Sequence, residues 1–164
     1  MTEHFTSISS SETSDRSSPS GEPEQRETLW LFSRQSAMPL SEHFHLREFH
    51  CKCRSSRCTQ TLVHPALVLA LQTLREMVAQ PLLLTSGFRC VAYNRIVGGR
   101  PRSFHTRGMA ADILCHSLSQ LEELAELAGA IPAFGGIGVY PERRFIHLDV
   151  RKRQRHGQPD CWSG

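Results

Sequence analysis

The sequence has no apolar run long enough to cross a membrane, so we expect no membrane segment. Its start, Met1 to Glu22, is polar and lacks the apolar core of a secretory signal. A phosphate-binding loop is also missing, because Gly98-Gly99 and Gly135-Gly136 lack the required lysine and strand-to-helix context. The formal net charge of +3 is too small to identify a partner. The short basic run 151–155 is typical of a solvated surface, and we expect no nucleic-acid partner.

Six cysteines are present, but the paired Cys-x-x-Cys spacing of common zinc sites is absent. Cys51, Cys53 and Cys58 form a Cys-x-Cys-x4-Cys segment. A second, structural zinc site and a redox-sensitive or disulfide-linked loop are both compatible with this segment, and the spacing alone predicts neither. A disulfide framework is not the default without a secretory signal. The apolar surroundings of Cys90 and Cys115 favour buried, reduced thiols.

Composition divides the chain into three segments. Residues 1–38 are rich in Ser, Glu, Thr and Pro over most of their length, which predicts a disordered tail because little apolar surface can be buried. The apolar cluster 30–32 in this tail could dock on the domain, and Met38 is an alternative start of translation. Residues 39–153 are predicted to form one domain, and residues 154–164 a C-terminal tail.

Helix and strand patterns succeed one another in the predicted domain. Pro65 to Val78 predicts a helix, with proline at its start and leucines at helical spacing. A second long helix is predicted after a cap at Ser117 or Ser119. Short apolar runs predict the remaining elements, which are strands at 82–85 and 110–114, a short helix at 90–97, and a β-hairpin of 137–140 and 145–150. This order of elements favours an α+β domain.

The informative metal-ligand candidates are His105 and Asp112 in the segment 103–112 and His147 in the segment 145–149, because they lie beside glycine and small residues inside apolar segments. A catalytic zinc ion takes three protein ligands and keeps one position open for water. His105 lies on a predicted loop, Asp112 on the strand that follows, and His147 on a second strand that can pair alongside. Two neutral histidines and one aspartate leave zinc with a net charge of about +1, so the ion remains a strong Lewis acid.

Three segments carry a resemblance to a known family, namely SGFRCVAYN (86–94), VGGRPRSFHTRGMAAD (97–112) and GGIGVYPERRFIHLDVR (135–151). The sequence resembles the zinc D-alanyl-D-alanine (D-Ala-D-Ala) peptidases, a group of cell-wall carboxypeptidases, D,D-dipeptidases and phage endolysins that share a fold with the Hedgehog signalling domain. The opening EHFHLREFHCKC (42–53) is similar to the start of the shorter members. The resemblance covers about Ser41 to Arg151 and implies a small antiparallel sheet with helices packed on it.

The resemblance also implies roles for individual residues. His105, Asp112 and His147 are the implied metal ligands, and Arg89 is implied to lie in the active site. Arginine there could hold a substrate carboxylate or stabilise a developing oxyanion, and a structural salt bridge is the alternative. Further residues that could line the cleft are Ser103, Asn94 and Tyr140.

One position departs from the family pattern. Many members have a catalytic glutamate three residues before the last histidine ligand, where this chain has Arg144, which stays protonated and cannot act as a base. Asp149 is the favoured replacement, because it shares a strand face with His147 at a Cα distance of roughly 7 Å. It could carry a proton from the attacking water to the leaving amine, or it could orient a ligand. Glu142, in the hairpin turn, is a more distant candidate.

Together with these residues, the resemblance implies a zinc metallopeptidase that cleaves an amide bond in peptidoglycan stem peptides, as a D,D-carboxypeptidase or an endopeptidase. The alternative is a non-catalytic, zinc-containing cell-wall-binding module of the same fold, since a fold does not determine function. The expected partner is peptidoglycan or its peptide fragments, and the expected state is a monomer. Because no secretory signal is seen, we expect a protein that is cytoplasmic or released by lysis and that acts at the cell wall.

Overall fold

The computed structural model describes residues 28–164, which form seven strands, three α-helices and three short 3-10 helices. The strands are β1 (Trp30–Ser33), β2 (Gln60–Val63), β3 (Leu84–Ser86), β4 (Ala110–Leu114), β5 (Gly136–Tyr140), β6 (Phe145–Asp149) and β7 (Asp160–Ser163). The α-helices are α1 (Pro65–Val78), α2 (Val91–Ile96) and α3 (Leu118–Ala130). The 3-10 helices span Leu46–Phe49, Phe104–Arg107 and Pro141–Arg143.

A five-stranded sheet in the order β3-β4-β6-β5-β7 forms the centre of the domain. Neighbouring strands are antiparallel from β3 through β5, and β7 runs parallel to β5 at the far edge. A separate two-stranded sheet pairs β1 with β2. The α+β class and the small, mainly antiparallel sheet predicted from the sequence are therefore confirmed.

Both long helices begin where the sequence places a cap. Pro65 occupies the first turn of α1, and the His64 ring accepts a hydrogen bond from the Ala66 amide. Ser117 caps α3 by accepting from the Gln120 amide. Helix α3 packs on α1 and on strands β5 and β6, so the apolar faces of the helices and of the sheet close one core. The largest fully buried side chains of this core include Phe44, Phe49, Phe134, Leu71, Leu121 and Ile146.

Two strands lie in segments that the sequence assigned to tails, and both predictions need correction. Strand β1 falls within the predicted 1–38 tail, and β7 falls within the predicted 154–164 tail. Each has four residues, too few for an alternating pattern to stand out, and each obtains its backbone partners from a distant segment. Most of the disorder prediction for the first tail concerns residues outside those described.

None of the helices in residues 28–164 combines the length and apolar character that a membrane span requires.

Candidate metal centre

The three predicted ligands come from neighbouring elements at one face of the sheet. Asp112 on β4 and His147 on β6 are paired residues of adjacent antiparallel strands, so their side chains point to the same side. His105 reaches them from the 3-10 helix that precedes β4. Gly108 ends that helix with a φ of 67°, and a Cβ there would lie 2.5 Å from the Leu62 carbonyl oxygen. The close turn that brings His105 back over β4 therefore requires glycine.

The ligand atoms form a small triangle. Nε2 of His105 lies 3.1 Å from Oδ1 of Asp112 and 3.1 Å from Nδ1 of His147, and that Nδ1 lies 2.8 Å from the same carboxylate oxygen. Ligand atoms around a tetrahedral zinc ion, at bond lengths of about 2.0–2.2 Å, are separated by roughly 3.3–3.6 Å. To hold such an ion, the two longer sides of the triangle would need to widen by roughly 0.2–0.5 Å and the shortest side by roughly 0.5–0.8 Å.

In each histidine ring, one nitrogen faces the triangle and the other makes a hydrogen bond outside it. That outer hydrogen bond determines whether the inner nitrogen has a free lone pair. Nδ1 of His105 lies 2.7 Å from the Gly87 carbonyl oxygen and donates to it, which leaves Nε2 as an acceptor. Nε2 of His147 lies 3.1 Å from Oδ2 of Asp149 and donates there, so that a ring without a proton on Nδ1, the form that ligates a metal, has Nδ1 as an acceptor. Two imidazole lone pairs and a carboxylate oxygen then face one another, an arrangement that a cation stabilises.

Burial and charge set the protonation of these groups. Burial lowers the pKa of His105, which keeps its ring neutral and able to ligate a metal near neutral pH. Burial acts in the same direction on His147, but hydrogen bonds to Asp112 and Asp149 outweigh it and raise the pKa. Burial opposes ionisation of Asp112, yet its hydrogen-bonding and charge interactions with His105 and His147 hold its pKa well below the ordinary value. The carboxylate is therefore ionised at neutral pH.

Arg89 lies beside the triangle and is tied to it. Its Nη2 forms an ion pair with Oδ2 of Asp112, and its Nε donates to the Ser86 hydroxyl at 2.7 Å. The Arg89 backbone amide donates to the His105 carbonyl at 3.1 Å. The salt bridge that the sequence offered as an alternative role is therefore present, and the guanidinium also lines the cleft.

Asp149 lies behind His147 rather than in the cleft. The residue is fully buried, and it accepts from the His147 ring and from the Arg151 guanidinium, with bonds of 2.8 Å to Oδ1 and 2.6 Å to Oδ2. Burial alone would raise its pKa, but the bonds from His147 and Arg151 lower the pKa to about 2. Arg151 also reaches Asp160 on β7 at 3.1 Å. This geometry suits a group that holds a histidine ring in place.

An open cleft of about 860 Å³ leads to the triangle. Its lining includes Ser103 and Tyr140, as the sequence predicted, and Asp112 is the one acidic residue among the described lining residues. Asn94 lies under the wall, with its amide donating to the Arg100 carbonyl at 2.9 Å. Glu142 is exposed on the hairpin turn and is absent from this lining. The arginines that line the cleft are Arg89, Arg100, Arg102, Arg143 and Arg151, so the surface around the triangle is strongly cationic.

Trp162 and Arg151 are neighbours of the triangle that the sequence did not predict. Across four strands the paired positions are Asp112, His147, Gly138 and Trp162. Gly138 has no side chain, and the Trp162 ring occupies this space at 5.5 Å from the His147 ring. The indole also donates to the Tyr140 hydroxyl at 2.9 Å. A tryptophan in a short polar segment gave no sequence signal for a place in the site.

Residues 42–149 match the family model described as Peptidase M15. The chain belongs to the peptidase M15 family. Curated relatives include the peptidoglycan L,D-endopeptidase MepK of Escherichia coli strain K12 and the protein of the same name from Shigella flexneri, each 33% identical over 76 residues. Each alignment covers 43% of this chain and 41% of the relative, so the match spans about two fifths of the length of these relatives.

Proposed function

We propose that this chain is a zinc-dependent peptidase that hydrolyses an amide bond in peptidoglycan stem peptides. The observation that carries the proposal is the convergence of His105, Asp112 and His147 at the floor of an open cleft in a member of a peptidase family. The proposed substrate follows the activity named for the relatives, which act on peptidoglycan. The arginine-rich lining supports an anionic substrate, because carboxylates of a peptide bind guanidinium groups by paired, charge-assisted hydrogen bonds.

His105, Asp112 and His147 would hold the zinc ion, with a site charge of about +1. Bound there, the ion supplies a Lewis acid for the scissile carbonyl and lowers the pKa of water. The chain contributes the preorganised ligands: Gly87 holds the His105 ring and Asp149 holds the His147 ring, so little rearrangement is needed on binding.

Arg89 is proposed to bind and stabilise negative charge on the substrate. Its Nε is anchored on Ser86, and its guanidinium lines the cleft beside Asp112. A positioned guanidinium stabilises an oxyanion or a substrate carboxylate by charge-assisted hydrogen bonds. The ion pair with Asp112 keeps this cation beside the triangle of proposed ligands.

Two roles are proposed for Asp149, and its contacts favour the orienting one. Both carboxylate oxygens are occupied by Arg151 or His147, and the side chain is fully buried. A proton carrier would have to leave these partners to reach water in the cleft. The orienting role needs no movement, and we therefore take it as the first proposal and proton transfer as the alternative.

The proposed bond class is that of an endopeptidase, following the activity named for the relatives, with D,D-carboxypeptidase action as the second candidate. The test incubates the zinc-loaded chain with defined peptidoglycan fragments and identifies the products by mass spectrometry. Release of an internal fragment supports the endopeptidase, and release of a terminal D-alanine supports the carboxypeptidase. His105→Ala is expected to abolish either activity together with zinc binding at this centre.

The same assay tests the non-catalytic module. The specific observation that favours it is the scarcity of carboxylates in the cleft, where Asp112 is the one acid among the described lining residues. If the zinc-loaded chain releases no product but sediments with purified peptidoglycan, it is a binding module and the hydrolase proposal fails.

A further inference from the structure

A second group of metal-ligand side chains lies outside the candidate metal centre. The sulfur atoms of Cys51, Cys53, Cys58 and Cys90 all lie within 4.8 Å of one another, and all four are free thiols. The first three come from the loop before β2, and Cys90 is the capping residue of α2. The fold therefore brings a fourth thiol, that of Cys90, next to the three thiols of the Cys-x-Cys-x4-Cys segment.

We propose that these four cysteines, here called the cysteine cluster, form a structural tetrathiolate zinc site separate from the candidate metal centre. Structural zinc sites are tetrahedral and closed, with four protein ligands and zinc–sulfur bonds of about 2.3 Å. Sulfur atoms in such a site are roughly 3.8 Å apart, which is compatible with the mutual separation of the cluster. A disulfide joins its sulfurs at about 2.05 Å in pairs, whereas here four sulfurs gather around one point.

Backbone and side-chain donors around the cluster stabilise negatively charged sulfur. The Cys90 amide donates to Sγ of Cys51 at 3.3 Å, and the Tyr93 amide donates to Sγ of Cys90 at 3.4 Å. Arg34 donates to Sγ of Cys53 at 3.6 Å and to the Cys51 carbonyl at 2.9 Å. Hydrogen-bond donors of this kind stabilise and orient metal-bound thiolates.

Surrounding charge also fits a zinc tetrathiolate, whose net charge is about −2. Lys52, Arg54 and Arg57 are exposed on the loop before β2, which carries three of the four cysteines, and they line the shallow cavity over the cluster.

The thiols of the cluster differ in acidity. Burial raises the pKa of the Cys58 thiol to about 12, with the neighbouring Cys53 adding to the effect. Although burial opposes it, hydrogen bonds from the Ser55 backbone and from the other thiols lower the pKa of Cys53 to about 7. A divalent cation would allow all four to lose their protons together.

The site would connect three parts of the domain next to Arg89. Arg34, just after β1, holds the cluster loop, and Cys90 directly follows Arg89 in the chain. The Phe88 amide also donates to the Phe49 carbonyl at 2.8 Å, so the segments before Cys51 and before Cys90 already lie side by side. Zinc at the cysteine cluster would link the loop before β2, which Arg34 already holds, to the start of α2. The segment that carries Arg89 would be stabilised by this link.

Metal analysis of the full chain, purified reduced and with zinc, tests the proposal. The wild type is expected to hold about two zinc ions per chain, and Cys53→Ser and Cys90→Ser about one. Cys161→Ser is the matched control, because Cys161 is exposed and lies outside the cluster, and it is expected to keep the wild-type zinc content. Cysteine variants that fold and retain the wild-type zinc content would overturn the proposal.

Cobalt substitution of the wild type provides a measurement that does not depend on the folding of a variant. Cobalt bound to thiolates has an intense near-ultraviolet sulfur-to-metal charge-transfer band, which we expect in the wild type and in His105→Ala. Absence of the band from the cobalt-loaded wild type, or an intact mass showing the four cysteines as disulfides under the same conditions, would overturn the proposal. Because these readouts do not involve peptidoglycan, failure of the proposed hydrolytic function would leave them unchanged.

Discussion

Asp149 is the residue whose role most affects the proposed chemistry. Asparagine at this position can still accept from the His147 ring, whereas alanine cannot. If Asp149 orients His147, Asp149→Ala lowers zinc affinity by about 10- to 100-fold, and Asp149→Asn keeps most of both affinity and activity. We expect this pattern in zinc titrations against a competing chelator and in kcat/KM measured on peptidoglycan fragments.

The proton-carrier role predicts a different pattern for the same pair of variants. Asparagine cannot take a proton from water, so Asp149→Asn would lose as much activity as Asp149→Ala while still binding zinc normally. That result would refute the orienting role. Glu142→Ala is the control for removing a nearby carboxylate, because Glu142 is exposed on the hairpin turn.

The buried ion pair of Asp149 and Arg151 predicts a pH dependence of the stability of the metal-free protein. The folded-state pKa of Asp149 is about 2, below its ordinary value of 3.8, so the unfolded chain binds the proton more readily. Its contribution, about 2 kcal/mol, is therefore fully present above about pH 4 and is lost as pH falls towards 2.

Urea denaturation at several pH values measures this contribution. The difference in free energy of unfolding between wild type and Asp149→Asn should be largest near neutral pH and should shrink between about pH 4 and pH 2. A difference that stays constant over this range would show that the loss comes from packing and not from the charge.

Not every residue of the site was equally visible in the sequence. His105, Asp112 and His147 lie in long matching segments, so their convergence could be anticipated before the structure. Their supporting contacts could not, because the carbonyl of Gly87 and the guanidinium of Arg151 act through hydrogen bonds that no spacing rule encodes.

Among the elements, those with strong local sequence signals were predicted best. The bounds of α1 and β4 agree with the sequence prediction residue for residue, because a proline cap, helical spacing and a buried apolar run are local signals. Strand β7 depends on pairing with β5, far away in sequence, and on the contacts of Trp162 and Asp160. Tertiary pairing of this kind leaves little trace in a four-residue segment.

The packing of β7 on β5 leads to a prediction about Gly138. A Cβ at this position would lie 2.5 Å from the Trp162 ring, so Gly138→Ala must displace the indole or the strand. We expect a loss of about 1–3 kcal/mol in the free energy of unfolding, measured by urea denaturation, because forced overpacking strains both strands.

A matched control and a second variant make this prediction specific. Gly129 lies within α3, and a Cβ added there would have open space around it within 4 Å, so Gly129→Ala should be neutral or stabilising by up to about 1 kcal/mol. Removing the indole with Trp162→Ala should reduce the cost of Gly138→Ala, which appears as a coupling energy in a double-mutant cycle. Equal costs in both backgrounds would show that the indole is not what Gly138 accommodates.

For the whole molecule, zinc binding and folding should be linked. The ligands of the candidate metal centre come from a 3-10 helix and two separate strands, and they meet only when the sheet has formed. Zinc then binds the folded state in preference to the unfolded chain, and at about 100 times its Kd it should add about 2.7 kcal/mol at this centre. For a domain of this size that corresponds to an increase in Tm of about 10 °C.

In the same thermal assay, single substitutions distinguish the part of the zinc-induced Tm shift that comes from the candidate metal centre from the part that comes from the cysteine cluster. His105→Ala should lose the part of the zinc-induced Tm shift that belongs to the candidate metal centre, whereas His116→Ala, at an exposed position outside it, should keep the full shift. Cys53→Ser should lose a different part, because the two sets of ligands share no residue. An unchanged zinc-induced shift in His105→Ala would mean that the stabilising zinc binds elsewhere, and the assignment of His105, Asp112 and His147 as ligands would then fail.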